Sequence, residues 1–232
     1  MKVLAIDTSS YANIVSVTDG ERILVDCNIE AGTDSLEKII SNIEQALESA
    51  GVTLGEIDGI GVGLGPGSWT GIRVGVTVGK MLAYSTGKPV CGVPTIDALA
   101  YGTCKGSSVI CPVISAGTKD TIYAAFYRPE NGMARRISEY YVGHVTGLTE
   151  LVNEPTVFVG SHIESHREQI VQALVQSNIN ADFLDAWLPG PSIARLAARR
   201  LENNDSDDVL ALTPLYLKES TARAFTGRHG SK

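Results

Sequence analysis

The chain opens on short apolar runs. Lys2 to Ile6 reads as a buried strand, and Ala12 to Thr18 alternates apolar and polar positions as a half-buried strand does. Glu21 to Ile29 gives a third strand, and Asp19-Gly20 before it is a hairpin signal. The period then changes. Leu36, Ile39, Ile40, Ile43 and Leu47 recur at spacings of three and four and predict one apolar face of a helix ending near Ala50. Asp34 is placed to cap that helix, Glu37 to complete a capping box, and Gly51 to close it.

The stretch from Ile57 to Tyr84 changes period within itself. Glycines at 59, 61, 63, 65 and 67 alternate, so an extended segment there has one face without side chains, which marks close backbone approach. After Gly65-Pro66-Gly67-Ser68-Trp69 the pattern becomes helical. Gly71, Gly75 and Gly79 then fall on one ridge. Each costs about 0.8–1 kcal/mol relative to Ala inside a helix, so a helix or sheet must press against the bare backbone. Other stripes carry Ile72, Val76 and Ala83, and Arg73, Thr77, Lys80 and Tyr84. With the Ile39/Ile43 face, these helices are expected to form a surface for a second subunit; packing inside the chain is the plainer alternative. Lys88 to Val93 is a further strand and Thr95 to Cys104 a short helix. The order βββαβαβα implies a mixed sheet with an antiparallel start and parallel crossovers.

The second half repeats this order loosely. Val109 to Ile114, Thr121 to Tyr127 and Arg135 to Val142 read as strands, with a turn at Pro129-Glu130-Asn131-Gly132 between the last two. Thr156 to Val159 is another strand. Ile163 to Val175 and Ser192 to Leu201 are helices, the latter capped by Ser192. Leu215-Tyr216-Leu217 is expected to dock on the body. The pattern divides the chain into a first, partner-binding lobe at 1–106 and a second, degenerate lobe at 107–217 whose last part packs back on the first. A tail follows at 218–232.

Composition narrows the choice of function. A net charge of −7 over 232 residues argues against a surface broadly attractive to nucleic acid or anionic membrane. No apolar run approaches the roughly 20 residues of a membrane helix. Only Val3 to Ile6 separate Met1-Lys2 from Asp7, so no secretory leader is expected and the location is read as cytoplasmic. Cys27, Cys91, Cys104 and Cys111 form no paired motif and read as reduced core residues.

Two places could carry chemistry. Asp7-Thr8-Ser9-Ser10 ends the first strand, where a carboxylate could hold a metal-bound water or a hydroxyl near a phosphate; an Asx turn serves equally. Gly65, Gly67, Ser68 and Thr70 could turn N–H groups and hydroxyls toward an anion at a helix start, or simply build a tight turn. No Gly-Lys-Ser/Thr follows, and Pro66 breaks the dinucleotide pattern. His162 and His166 have metal-pair spacing without the Glu of a zincin. We therefore expect no metal site and no catalytic constellation within the chain.

The segments Met1-Lys2-Val3-Leu4-Ala5-Ile6-Asp7-Thr8-Ser9 and Gly63-Leu64-Gly65-Pro66-Gly67-Ser68-Trp69-Thr70-Gly71-Ile72-Arg73-Val74-Gly75 resemble the TsaB (YeaZ) family of bacterial tRNA threonylcarbamoyladenosine-biosynthesis proteins. The resemblance implies a two-lobed, Gcp-like member of the actin-like ATPase superfamily, the fold of sugar kinases and heat-shock ATPases. It further implies a non-catalytic subunit that pairs with a catalytic TsaD-type relative, or with itself as a homodimer, through first-lobe helices. Those helices place Leu36, Ile39, Ile40, Ile43, Gly71, Ile72, Arg73, Gly75, Val76, Gly79 and Lys80 at the joint. A TsaE-type ATPase would complete the assembly, tRNA would be met indirectly, and ATP or ADP with magnesium would sit at the subunit joint rather than as a tightly bound cofactor. The rival class is a stand-alone actin-fold ATPase or small-molecule kinase. Where the family carries Asp-Ala-Arg and then Glu-Val-Tyr, this chain reads Ser115-Ala116-Gly117-Thr118-Lys119-Asp120-Thr121-Ile122-Tyr123. Magnesium would thus find few oxygen ligands besides Asp7.

Overall fold

A computed structural model describes residues 1–10, 12–30, 37–104, 106, 108–117 and 121–217, with Glu30 described by its backbone alone. Asp34 and Leu36 of the expected first helix, Thr118 to Asp120 and the tail at 218–232 lie outside the described residues.

The first lobe is a five-stranded sheet. β1 (Lys2–Asp7), β2 (Ala12–Asp19), β3 (Arg22–Glu30), β4 (Gly59–Gly63) and β5 (Val90–Val93) stand in the order β3-β2-β1-β4-β5. β1, β2 and β3 pair antiparallel, and β4 and β5 continue parallel, as the element order required. The alternation of β1 sorts its side chains to two layers. Leu4 and Ile6 pack under α1 (Ile39–Ala50), together with Val78 of α2 (Trp69–Thr86). Val3 and Ala5 pack under α6 (Gly190–Glu202). α3 (Thr95–Thr103) lies beside α6 on that second face.

Gly51 closes α1 in the left-handed region at φ 66°. The helix starts at Ile39 with no side-chain cap at Lys38, so Glu37 precedes it rather than completing a box inside its first turn. The Ser192 cap is also corrected. α6 begins at Gly190 with Pro191 in its first turn, and Ser192 is buried inside the helix.

The second lobe is built on β6 (Val109–Ser115), β7 (Thr121–Ala124), β10 (Tyr141–His144), β11 (Thr156–Gly160) and β12 (Ala181–Asp185), in the order β10-β7-β6-β11-β12. β8 (Tyr127–Glu130) and β9 (Met133–Arg136) form a hairpin joined to β6 at Tyr127. The sequence predicted two long strands where the structure has four short ones. Ala124, Ala125 and Phe126 are buried in succession, which no single flat strand with one wet face allows. The chain therefore leaves one sheet path and enters the hairpin at that point. α4 (Val145–Thr149) and β12 were not read from the sequence. The predicted helix at Ile163 to Val175 is a 3-10 turn, then α5 (Arg167–Leu174), then a second 3-10 turn.

Candidate functional site

Asp7 stands at the end of β1 and is 0% exposed. Its Oδ1 accepts hydrogen bonds from the Ser9 backbone N–H at 2.7 Å and the Ser9 hydroxyl at 2.6 Å. Its Oδ2 accepts from Thr95 Oγ1 at 2.6 Å. Thr95, the first residue of α3, in turn accepts from the Gly65 N–H at 3.1 Å, and its own N–H donates to the Gly65 carbonyl at 2.8 Å. Burial pushes the Asp7 carboxyl above its ordinary range, and the hydrogen bonds from Ser9 and Thr95 pull the other way without cancelling it.

The glycines make this knot fit. A Cβ at Gly63 would occupy the Asp7 carboxylate, and one at Gly67 would sit on the Ser9 carbonyl oxygen. Ser68 N–H donates to that same carbonyl at 2.6 Å, and Ser68 Oγ caps α2 by accepting from Gly71 N–H at 3.2 Å. Thr8 Oγ1 donates to the Gly71 carbonyl at 2.6 Å. The structure thus brings Asp7, Thr8, Ser9, Gly65, Gly67 and Ser68 together, while Thr70 points outward and is exposed. Asp7 is buried, and its carboxylate already accepts three hydrogen bonds from within the chain. Thr95, which completes the knot, registered in the sequence only as a helix start.

The glycine ridge of α2 is also reassigned. A Cβ at Gly71 would strike the Thr8 carbonyl, at Gly75 the Thr8 hydroxyl, and at Gly79 the Val62 side chain. The element pressed against the ridge is the chain's own sheet, not a partner's helix. Ile39, Ile43, Ile72 and Val76 are likewise buried within the lobe. These residues support the two helices from beneath. Of the expected joint, Ile40 and Arg73 remain exposed, and Lys80 is half-buried.

What α2 does present is a different stripe. Trp69 is 37% exposed, Met81 64% and Tyr84 72%, with Arg73 and Thr77 between them. The closing segment lies along this helix. Lys80 Nζ donates to the carbonyls of Leu210 and Leu212 at 3.0 and 2.9 Å, Leu212 is buried, and Leu215 N–H donates to the Leu64 carbonyl at 2.9 Å. Tyr216 lies tilted against Trp69 with ring centroids 4.3 Å apart, and Arg73 Nε donates to the Tyr216 hydroxyl at 3.0 Å. Leu215 to Leu217 thus docks as the sequence suggested. Lys80 serves that strap.

His162 donates its backbone N–H to Asp185 and sets its ring edge-on to Trp187 at 5.7 Å. Among the described residues, no three His, Cys, Asp or Glu gather as metal ligands would. Cys91 and Cys111 are buried and Cys27 and Cys104 half-buried, all as free thiols.

A family model described as TsaD: tRNA N6-adenosine threonylcarbamoyltransferase matches residues 30–223. The chain belongs to that family. Among the proteins it is similar to are several named TsaB or YeaZ. It is 25% identical over 227 residues, 97% of each chain, to the tRNA threonylcarbamoyladenosine biosynthesis protein TsaB of Bacillus subtilis. It is 31% identical to the protein of the same name from Escherichia coli, over 57% of this chain and 58% of that one. In structure it is similar to YeaZ from Pseudomonas aeruginosa, with a TM-score of 0.76 at 24% identity, covering 93% of this chain and 99% of the other. The ROK hexokinase of Thermus thermophilus aligns with a TM-score of 0.54 at 15% identity, over 88% and 100% of the two chains. The fold is the two-lobed α/β actin-like ATPase fold.

Proposed function

We propose that this chain is a non-catalytic subunit in tRNA threonylcarbamoyladenosine biosynthesis, working beside a catalytic TsaD-type relative and a TsaE-type ATPase. The observation that carries the reading is the contrast between its two candidate surfaces. The Asp7 knot is buried and already hydrogen-bonded, so it is poor ground for chemistry inside the chain. The outer stripe of α2 offers Trp69, Met81 and Tyr84 with Arg73, a composition enriched at protein interfaces. Ile40 of α1 adds to the exposed apolar surface on the same side of the sheet. Docking of the catalytic relative there, or of a second copy when the chain is alone, would cover these side chains. Nucleotide with magnesium would then belong to the joint rather than to the lone chain, tRNA would be reached through the assembly, and the assembly would work in the cytoplasm. No helix among the described residues is long and apolar enough to cross a membrane.

Light scattering coupled to size exclusion tests the docking. The chain mixed with its TsaD-type relative is expected to elute as a complex, and M81D/Y84D to remain folded and elute alone. Unchanged co-elution of that variant would remove α2 from the joint. The rival reading, an independent ATPase or kinase, draws on the hexokinase-like fold and an Asp at the end of β1. Calorimetry of the lone chain with magnesium-ATP separates the two, since tight binding with turnover belongs only to the rival.

A further inference from the structure

The glycine loop that closes over Asp7 is gripped at both ends by two consecutive residues of the closing strap. Before the loop, the Leu64 carbonyl accepts from Leu215 N–H at 2.9 Å, while Leu64 N–H donates to the Val93 carbonyl at 2.9 Å. After it, the Trp69 ring lies against that of Tyr216. Between these two points lie Gly65, whose N–H and carbonyl both bond Thr95, and Ser68, whose N–H donates to the Ser9 carbonyl. The bonds that tie the loop to the Asp7 knot therefore fall between the two places the strap holds.

The strap is held unequally along its length. Its root is fixed from several sides. Arg200 forks onto Asp205 and Asp207, Gly92 N–H donates to Asp207 Oδ2 at 2.7 Å, and Asp207 N–H donates to the Val90 carbonyl at 2.8 Å. Leu212 is buried beside Leu64, and both occupy the space that a Cβ at Gly92 would take. Among the described residues the tip has one backbone bond, that of Leu215, and beyond it only side chains at the surface. Arg73, exposed on α2, completes that contact. Its guanidinium lies 4.5 Å from the Trp69 ring centroid and 5.8 Å from that of Tyr216, and its Nε donates to the Tyr216 hydroxyl. A firm root and a lightly held tip let the tip open locally without unfolding the lobe. A cation–π contact is weak in water and strengthens when water is excluded from it. Trp69 and Arg73 belong to the outer stripe of α2, so whatever covers that stripe acts on the tip.

We propose that the closing strap is a latch on the loop at 64–69, set by the cluster of Trp69, Arg73 and Tyr216 and tightened when the stripe of α2 is covered. The tightening rests on the docking proposed above; the latch does not. Hydrogen exchange of the full chain, read by mass spectrometry, is the test. Y216A is expected to speed exchange about threefold or more in fragments carrying the Leu64, Gly65 and Ser68 amides, with β11 exchanging as in the wild type. Y216F keeps the ring and loses the hydroxyl that Arg73 meets, so it should fall between the two. R73Q loosens the cluster from the α2 side with the strap unchanged; it should act as Y216A does, and it carries the expectation alone if Y216A fails to fold. L210A, at an exposed position of the strap away from the cluster, should exchange as the wild type does. Unchanged loop exchange in Y216A and R73Q would overturn the latch, as would an equal rise in β11, the mark of a general loss of stability. With the TsaD-type relative in excess, loop exchange in the wild type should slow about threefold further, and that in Y216A should not. A co-eluting complex whose loop exchanges as in the lone chain, or equal slowing in wild type and Y216A, would overturn the tightening. Failure of the wild type to co-elute sinks the docking reading, while the comparison on the lone chain still decides the latch.

Discussion

Asp7 is a carboxylate held where a charge is expensive. Desolvation raises its pKa from the ordinary 3.8, outweighing the hydrogen bonds from Ser9 and Thr95 that favour the ionised form. A raised acid binds more protons folded than unfolded between the two values, so its contribution to stability is complete below 3.8 and is lost as pH rises through the folded value. Asn at this position cannot titrate. The stability of the wild type minus that of D7N, from urea unfolding at a series of pH values, should therefore fall as pH rises from 4 towards neutrality. Taking the difference cancels Asp26, which burial also raises. A flat or rising difference would mean that the three hydrogen bonds win and that Asp7 is held ionised.

At the scale of the element, α2 shows how a helix with poor propensity is made stable by what lies beneath it. Alanine at Gly71 should gain about 1 kcal/mol of helix propensity. The added Cβ meets the Thr8 carbonyl, a backbone atom that cannot swing aside. Overpacking of this kind costs about 1–3 kcal/mol, so G71A is expected to be less stable than wild type by urea unfolding, while T77A on the exposed stripe stays within about 0.5 kcal/mol. The glycine spacing told that something approaches the ridge, but spacing carries no information on whether the neighbour belongs to the same chain. The alternating glycines of β4 were more telling. Gly59 and Gly61 make room for Leu201, Ile193 and Ala197 of α6, so close approach was legible although the approaching helix lies far along the chain. The antiparallel opening, the parallel crossovers and the positions of α1, α2, α3 and α6 could be read from periodicity. The broken strands of the second lobe could not, because Ala125 and Phe126 are buried in succession and period-two patterning fails there. Of the candidate site, Asp7, Ser9 and the glycine loop were visible as residue types. That they bond to one another depended on Thr95, 88 residues from Asp7.

α3 is one joint of the whole molecule, beside the packing of α6 on the first sheet. Its first residue, Thr95, grips Asp7 in the first lobe. Two residues on, Asp97 Oδ1 accepts from Tyr127 at 2.5 Å and Tyr140 at 2.9 Å, both from the second lobe. Tyr127 is buried, and desolvation with the Asp97 charge pushes its phenol far above the ordinary range, so it remains a donor at every working pH. Ile96 and Ala100 of α3 close the contact by packing on Ala125 and Tyr127. Sequence reading could not find this joint, since its members are separated by 30 and 43 residues and none forms a local motif. If the lobes are held mainly by apolar packing, removing one hydroxyl should matter little. If Asp97 is the fastener, Y127F leaves the carboxylate with Tyr140 as its remaining side-chain donor, and the loss should be about 1.5–3 kcal/mol, the range for hydrogen bonds to a charged group. A double-mutant cycle distinguishes the cases. With D97N, which removes the charge and keeps the shape, Y127F should cost much less than it does in the wild type, because members of one network are not additive. Additive losses within about 0.5 kcal/mol would show that the phenol and the carboxylate act separately and that packing around Ile96 and Ala100 holds the lobes together.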